Sequence, residues 1–375
     1  MMTENKQFGF IGFGLIGGSI ARNLRALHPD AVLIAYNYNP KHTNPNLLLA
    51  KEEGTLNEIV TDFHDGFPDC DIIFLCAPVL RNISYLPALK QVIKPTCILT
   101  DVGSVKGNIH TAIEEIGLDR QFIGGHPMAG SEKTGYKNSS RQLLENAFYI
   151  LTPTSNTPQS AIDTMKQLVT EIGAIPVTLP PSKHDDIVAA ISHVPHIIAA
   201  TLVNMVEDFD DEEQHMHALA AGGFKDITRI ASSSPVMWEN ICLTNPDSII
   251  RFLDRYISIM TEVKTAIQNE EEDYLIHFFE KSKNYRDTIP NKPVGMLAKS
   301  HILYMDIVDE KGVIATISTI LACHDINLKN IGIQRNREDN IGVLYIETDT
   351  DATLQKAADI LKKHNYTIHL PESEK

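Results

Sequence analysis

Residues 8–18 read FGFIGFGLIGG, an apolar run that enters Gly12-x-Gly14-x-x-Gly17. This spacing suits the holding of a pyrophosphate. Gly12 lets the chain turn tightly at a strand end, and Gly14 lets backbone approach the phosphates. Gly17 lets the next helix pack close to the strand. That helix opens at Leu15 and Ile16 with free N–H groups and a positive dipole end. Alone, the spacing also fits an ordinary glycine-rich turn. Here it follows a strand pattern, opens an amphipathic segment (Ile16, Ile20, Leu24, Leu27) and leads to a second strand, Val32–Tyr36. In that setting it points to a dinucleotide.

About 20 residues past the glycines an acid usually accepts from the ribose 2′-OH of NAD. This chain has Asn37 after the second strand and no acid between Asp30 and Glu52. Asn37 can bond a 2′-OH without repelling a 2′-phosphate, and Lys41 and His42 would tolerate one. NAD is the expected cofactor, ahead of NADP.

Four further clusters carry polar chemistry. Ser104, in Asp101-Val102-Gly103-Ser104-Val105-Lys106, follows the fourth strand-like run and reads either as an N-cap opening a helix or as a group at the cofactor edge. His126, in Gly124-Gly125-His126-Pro127, is expected in a loop at the nicotinamide side, as a base or hydrogen-bond acceptor. On one helix, Asp185, Ala189, Ser192 and His196 fall on a shared face, with Pro195 costing about 3 kcal/mol and freeing a carbonyl. His193 and His196 lack the Glu and the i, i+4 spacing of zinc proteases, so no metal is expected. Arg229, four residues after Lys225, offers a fork for a carboxylate. Trp238, the only tryptophan, reads as a core residue.

The elements that position these groups fall into three parts. Strand-like runs at residues 8–11, 32–36, 72–76, 97–101, 121–124 and 147–151 alternate with helical patterns. This α/β order implies a parallel, doubly wound, Rossmann-type domain over residues 1–152. Ala77-Pro78 forms a strand-end turn where ligands of this fold sit, which makes Pro78 a cofactor contact. A mostly helical substrate and dimerisation domain is expected over 153–290, too apolar for one chain to hide, so a homodimer follows. The linker Ile289-Pro290-Asn291-Lys292-Pro293 precedes a βαββαβ, ferredoxin-like segment over 299–372. Its turn, Asp309 to Gly312, leaves N–H groups for a carboxylate-bearing ligand.

A net charge of −15 over 375 residues argues against nucleic acid and anionic membranes as partners. No signal peptide is evident, and no apolar stretch approaches membrane-spanning length. Five cysteines without CxxC pairing read as reduced residues of a cytoplasmic protein.

Taken together, GFGLIGGS, DVGSVK, GGHPMAGSEKTG, SHVPH and AAGGFKDITRIASSSPVMWENI, in this order, resemble the prephenate dehydrogenase family of tyrosine biosynthesis. The terminal segment looks like an ACT domain, a ligand-sensing module. The resemblance implies oxidative decarboxylation of prephenate with hydride transfer to NAD+. It implies that His126 accepts from the substrate hydroxyl and that Ser104 holds hydroxyl, His126 and nicotinamide together. Arg229 would bind a substrate carboxylate and His196 the polar side chain, while Glu132, Asp185 and Trp238 line or gate the pocket. Tyrosine or phenylalanine is the implied effector of the tail. Arogenate is the alternative substrate. A β-hydroxyacid dehydrogenase and a non-enzymatic nucleotide-sensing regulator are competing readings.

Overall fold

The computed structural model describes residues 6–130, 133–289, 301–308, 311–335, 341–348 and 350–369. The chain divides into two units, Met1–Val294 and Gly295–Lys375. Glu132, Asp309 and all of the linker but Ile289 lie outside the described residues.

The first unit is built on strands β1 (Gln7–Ile11), β2 (Val32–Tyr36), β3 (Glu58–Val60), β4 (Ile72–Leu75), β5 (Ile98–Asp101), β6 (Phe122–Pro127), β7 (Phe148–Pro153) and β8 (Ile175–Thr178). They form one sheet in the order β3-β2-β1-β4-β5-β6-β7-β8. The period of two along each strand assigns alternate residues to opposite faces. Phe8, Phe10, Leu33 and Phe74 enter one core with Ile20 and Leu24 of the helix Leu15–Leu27. Ile11, Ile34, Ile73 and Leu75 enter the other, with Leu86 and Ile109. Both faces are therefore covered, and functional groups are left to the strand ends.

Three features differ from the sequence reading. The short strand β3 was not foreseen, since its three residues are too few for a periodic signal. The sheet is not wholly parallel: β7 runs antiparallel to β6, with His126 opposite Ile150. The described residues of 128–147 hold only short 3₁₀ turns, Tyr136–Asn138 and Arg141–Leu144, instead of a crossover helix. That pairing also lengthens β6, so His126 stands on a strand and not in a loop. Gly124 and Gly125 are required there by close packing: a Cβ would lie 2.2 Å from Thr152 Oγ1 at Gly124 and 2.5 Å from the Asp101 carbonyl oxygen at Gly125.

Beyond β8 the unit is helical. The segment Pro181–Phe209 is one 29-residue helical run containing an 18-residue window of mean hydropathy 1.6, long and apolar enough by composition to cross a membrane. This corrects the expectation that no such stretch exists. The run also carries His184, Asp185 and His193, all buried.

The second unit contains β9 (Ile302–Val308), β10 (Asn330–Arg335), β11 (Ile341–Glu347) and β12 (Ile368–His369). They form an antiparallel sheet in the order β10-β11-β9-β12. Helices Val313–Ala322 and Asp351–Lys363 pack Ile317, Leu321, Ala357 and Leu361 against Leu303, Met305, Leu344 and Ile346. Gly312 precedes the first helix at φ +92°, a left-handed conformation that glycine adopts without strain.

Candidate active site

The glycine turn has the geometry its spacing implies. Gly12 sits at φ +88°, and a Cβ there would lie 2.5 Å from the Ala77 backbone nitrogen. At Gly17 it would lie 2.9 Å from the Gly12 carbonyl oxygen. At Gly14 it would meet nothing within 4 Å, so that position faces open space at the start of the helix Leu15–Leu27. No side chain caps this helix, which leaves the first-turn N–H groups at Leu15 and Ile16 for an anion. A cavity of about 410 Å³ adjoins the turn, lined by Gly12, Asn37, Asn44, Pro78, Arg81 and Tyr85 among others. Its rim is held by Asn82, fully buried, which donates to the carbonyls of Leu75 (3.1 Å) and Ala77 (2.8 Å). The residues present thus fit a dinucleotide.

Asn37 is 2% exposed, and its amide is largely engaged by its own loop. Nδ2 donates to the carbonyls of Asn39 (2.6 Å) and His42 (3.2 Å), while Oδ1 accepts from the Asn44 N–H at 3.2 Å. An aspartate could make neither donation. The residue therefore shapes the wall of the cavity more than it offers a free amide. The cavity lining contains no carboxylate and one cation, Arg81.

At the carboxyl ends of β5 and β6 stands a buried polar network. Lys106 and Asp101 form an ion pair with both side chains 0% exposed. Lys106 also donates to the Gly125 carbonyl at 2.7 Å, and Asp101 accepts from the N–H groups of Gly103 (2.9 Å) and Gly125 (3.1 Å). Burial pulls the Lys106 ammonium below its ordinary range, against the pull of Asp101. Beside it, His126 Nδ1 lies 2.8 Å from His184 Nε2, and His184 Nδ1 lies 2.7 Å from Asp185 Oδ1. Asp185 in turn accepts from the backbone N–H groups of Lys106 and Gly107, each at 2.8 Å.

The helix after β5 therefore begins at Gly107, not at Ser104, and Asp185 satisfies its first donors from a distant segment. Ser104 remains half-buried in the loop between β5 and this helix. His126 is held well below the usual imidazole range, first by desolvation and then by His184 and Lys106. It is thus neutral near pH 7, as a proton acceptor must be.

The long helix does not run as a regular α-helix. Ala189–His193 is a π turn closed by the Val194 N–H to the Ala189 carbonyl. Such a turn inserts one residue and rotates everything after it, so the single face expected for Asp185, Ser192 and His196 is broken. His184 points to His126 and Asp185 to His184 and the helix at Gly107, whereas His196 stacks on Trp238 with centroids 3.8 Å apart. Ser192 is half-buried, and its carbonyl accepts from His196 Nδ1 at 2.9 Å. His193, 1% exposed, contacts Asn245 at 3.3 Å, and burial pulls it down to about 4.

Burial also lowers His196, with a smaller contribution from the Arg229 guanidinium, which places that cation in its field. Arg229 and Lys225 are exposed in the single chain, and Trp238 is half-buried. The structure thus gathers His126, His184, Asp185, Lys106 and Asp101 in one group, and His196, Trp238 and Arg229 in a second. Lys106, Asp101 and His184 stood in the sequence clusters but were given no role there. A lysine and an aspartate five residues apart at a strand end were the available signal.

Comparison with known proteins identifies the family. Two family models match, the prephenate dehydrogenase nucleotide-binding domain over residues 20–178 and the prephenate dehydrogenase dimerization domain over 180–281. The prephenate dehydrogenase of Bacillus subtilis is 36% identical, covering 94% of this chain and 94% of that protein. That of Lactococcus lactis is 32% identical over 96% of this chain and 98% of its own length. A crystal structure of Aquifex aeolicus prephenate dehydrogenase, in complex with hydroxyphenyl propionate and NAD+, matches with a TM-score of 0.70 and 30% identity, covering 77% of this chain and 99% of that one. The chain belongs to the prephenate dehydrogenase family.

Proposed function

We propose that this chain oxidises prephenate to 4-hydroxyphenylpyruvate with loss of CO2 and transfer of hydride to NAD+, as a cytoplasmic enzyme of tyrosine biosynthesis. The observation that carries this reading is a neutral His126 at the end of β6, backed by His184 and Asp185 and set on the side of the sheet where the glycine turn opens. When bound, the nicotinamide takes up the hydride. His126 accepts the proton of the ring hydroxyl, and Ser104 holds that hydroxyl in place. Arg229, with Lys225, supplies the positive charge that a dianion needs in a chain of net charge −15. His196, stacked on Trp238, faces the substrate side chain, and the family resemblance assigns Ser192, Asp185 and Glu132 to the substrate as well. No resident metal is required, because aromatisation drives the decarboxylation.

The helical region is the homodimer interface in this reading. Phe209, Leu219, Leu243 and Phe279 are between 63% and 77% exposed in the single chain, and the matching family model is described as a dimerization domain. Burying such side chains gives about 1.5–3 kcal/mol each. A stable monomer in sedimentation at micromolar concentration would exclude the interface. The second unit acts as a ferredoxin-like, ACT-type sensor of tyrosine or phenylalanine. Its β10-β11-β9-β12 order and the Gly312 turn before a helix support this. Equal inhibition of the full chain and of a chain ending at residue 292 would refute it.

The test of the reaction is absorbance of reduced nicotinamide, with prephenate or arogenate crossed against NAD+ or NADP+. Turnover of prephenate with NAD+ is expected. No turnover in any combination would overturn the proposal.

A further inference from the structure

We infer that His184 is a positioning residue that fixes the tautomer of His126, leaving the bare nitrogen of His126 on the side away from His184. This deepens the reading of His126 as the proton acceptor and rests on it. The argument is a count of protons along a chain of contacts. The Asp185 carboxylate can only accept, and it already takes the Lys106 and Gly107 N–H groups at 2.8 Å each. His184 Nδ1, 2.7 Å away, must therefore carry a proton and donate it.

The His184 side chain is 0% exposed and shares its surroundings with the buried Lys106, and a single ring proton, at Nδ1, avoids a second buried cation there. Its Nε2 then holds a lone pair. Across 2.8 Å, His126 Nδ1 must be the donor. A neutral His126 with its proton on Nδ1 presents Nε2 as an acceptor. Nε2 is the nitrogen a substrate hydroxyl would meet.

The same chain serves the protonated state. When His126 Nε2 gains a proton, the Nδ1–H bond to His184 becomes charge-assisted, and Asp185 faces the far end of the relay. The charged and titratable groups facing His126 are His184, His193, Lys106 and, through Lys106 and His184, Asp101 and Asp185. His184 thus acts without touching substrate or cofactor.

The experiment uses the full-length chain with NAD+ bound. Histidine labelled with 15N distinguishes the two tautomers, and His126→Ala identifies the resonance. Wild type is expected to show His126 protonated at Nδ1. His184→Leu should shift it towards Nε2–H, displace the acid limb of the kcat/KM profile and lower kcat by on the order of 10²-fold. NAD+ affinity should stay unchanged. His184→Gln can accept from His126 and donate to Asp185, so it should recover most of the rate and the profile.

Wild-type His126 protonated at Nε2 would overturn the inference whatever the variants do. So would His184→Leu with wild-type kcat and pH profile while His126→Ala is inactive; that result would leave the acceptor role of His126 standing. An active His126→Ala would instead remove the acceptor reading itself.

Discussion

Replacing Lys106 with methionine tests the buried network behind His126. The ammonium and the Asp101 carboxylate are both 0% exposed, so the substitution strands a buried carboxylate. Removing one partner of such a pair costs about 3–5 kcal/mol. Asp101 keeps the N–H bonds from Gly103 (2.9 Å) and Gly125 (3.1 Å), which places the cost at the lower end, about 3 kcal/mol. A unit of roughly 290 residues unfolds with an entropy of about 0.6 kcal/mol/K, so Tm should fall by about 5 °C. The assay is scanning calorimetry of the cofactor-free chain, with Lys106→Met, Asp101→Asn and the double variant compared. The double variant removes both charges at once. It should be destabilised less than the sum of the two, by a coupling of about 1.5 kcal/mol or more. A Lys106→Met chain that melts within about 1 °C of wild type, or strict additivity of the two changes, would refute the account, because either result means that the ion pair contributes nothing to the fold.

Gly12→Ala and Gly14→Ala should separate fold from cofactor. Gly12→Ala, at φ +88° and 2.5 Å from Ala77, is expected to lower Tm, whereas Gly14→Ala meets nothing within 4 Å and should keep Tm but weaken NAD+ binding, as read by calorimetric titration. Asn37→Asp would set a carboxylate against the carbonyls of Asn39 and His42, at 2.6 and 3.2 Å in the native loop. It should therefore weaken NAD+ binding instead of restoring the usual ribose contact, and tighter NAD+ binding would contradict that role. His110 and His193 are both pulled down to about 4 by burial. The unfolded chain takes up protons from pH about 6.5 downward and the folded one only near 4, so stability present above 6.5 is lost as pH falls through that window, by roughly 3 kcal/mol for each residue. Urea midpoints measured from pH 7 to 4 should fall, and less steeply in His110→Gln.

Much of the first unit was legible because its signals are local. The glycine spacing, the apolar strands and the strand-end positions each follow from neighbours a few residues apart, and Gly12, Gly14 and Gly17 occupy the geometry their spacing implies. What was not legible depends on distant partners. Ser104 looked like a helix cap because the real cap, Asp185, lies 79 residues from the Lys106 N–H it accepts. His126 looked like a loop residue because β7 returns from beyond position 147 to pair antiparallel with it. Asn37 looked free for a ribose because the loop that consumes its amide has no periodic pattern.

The π turn explains why the shared face expected for Asp185, Ser192 and His196 is broken on this helix. With 3.6 residues per turn, Asp185 and His196 share a face, and His184 belongs beside neither. Pro195 has no N–H, and the run accommodates it by closing the turn before it as Ala189–His193, with the Val194 N–H reaching back five residues. The inserted residue swings His196 away to stack on Trp238 and leaves the stretch before it, His184 and Asp185, facing His126 and the helix at Gly107. One helix thereby carries two groups of side chains, His184 and Asp185 before the turn and His196 after it. The proline was visible in the sequence as a cost, and its use lies in this change of face between the two groups.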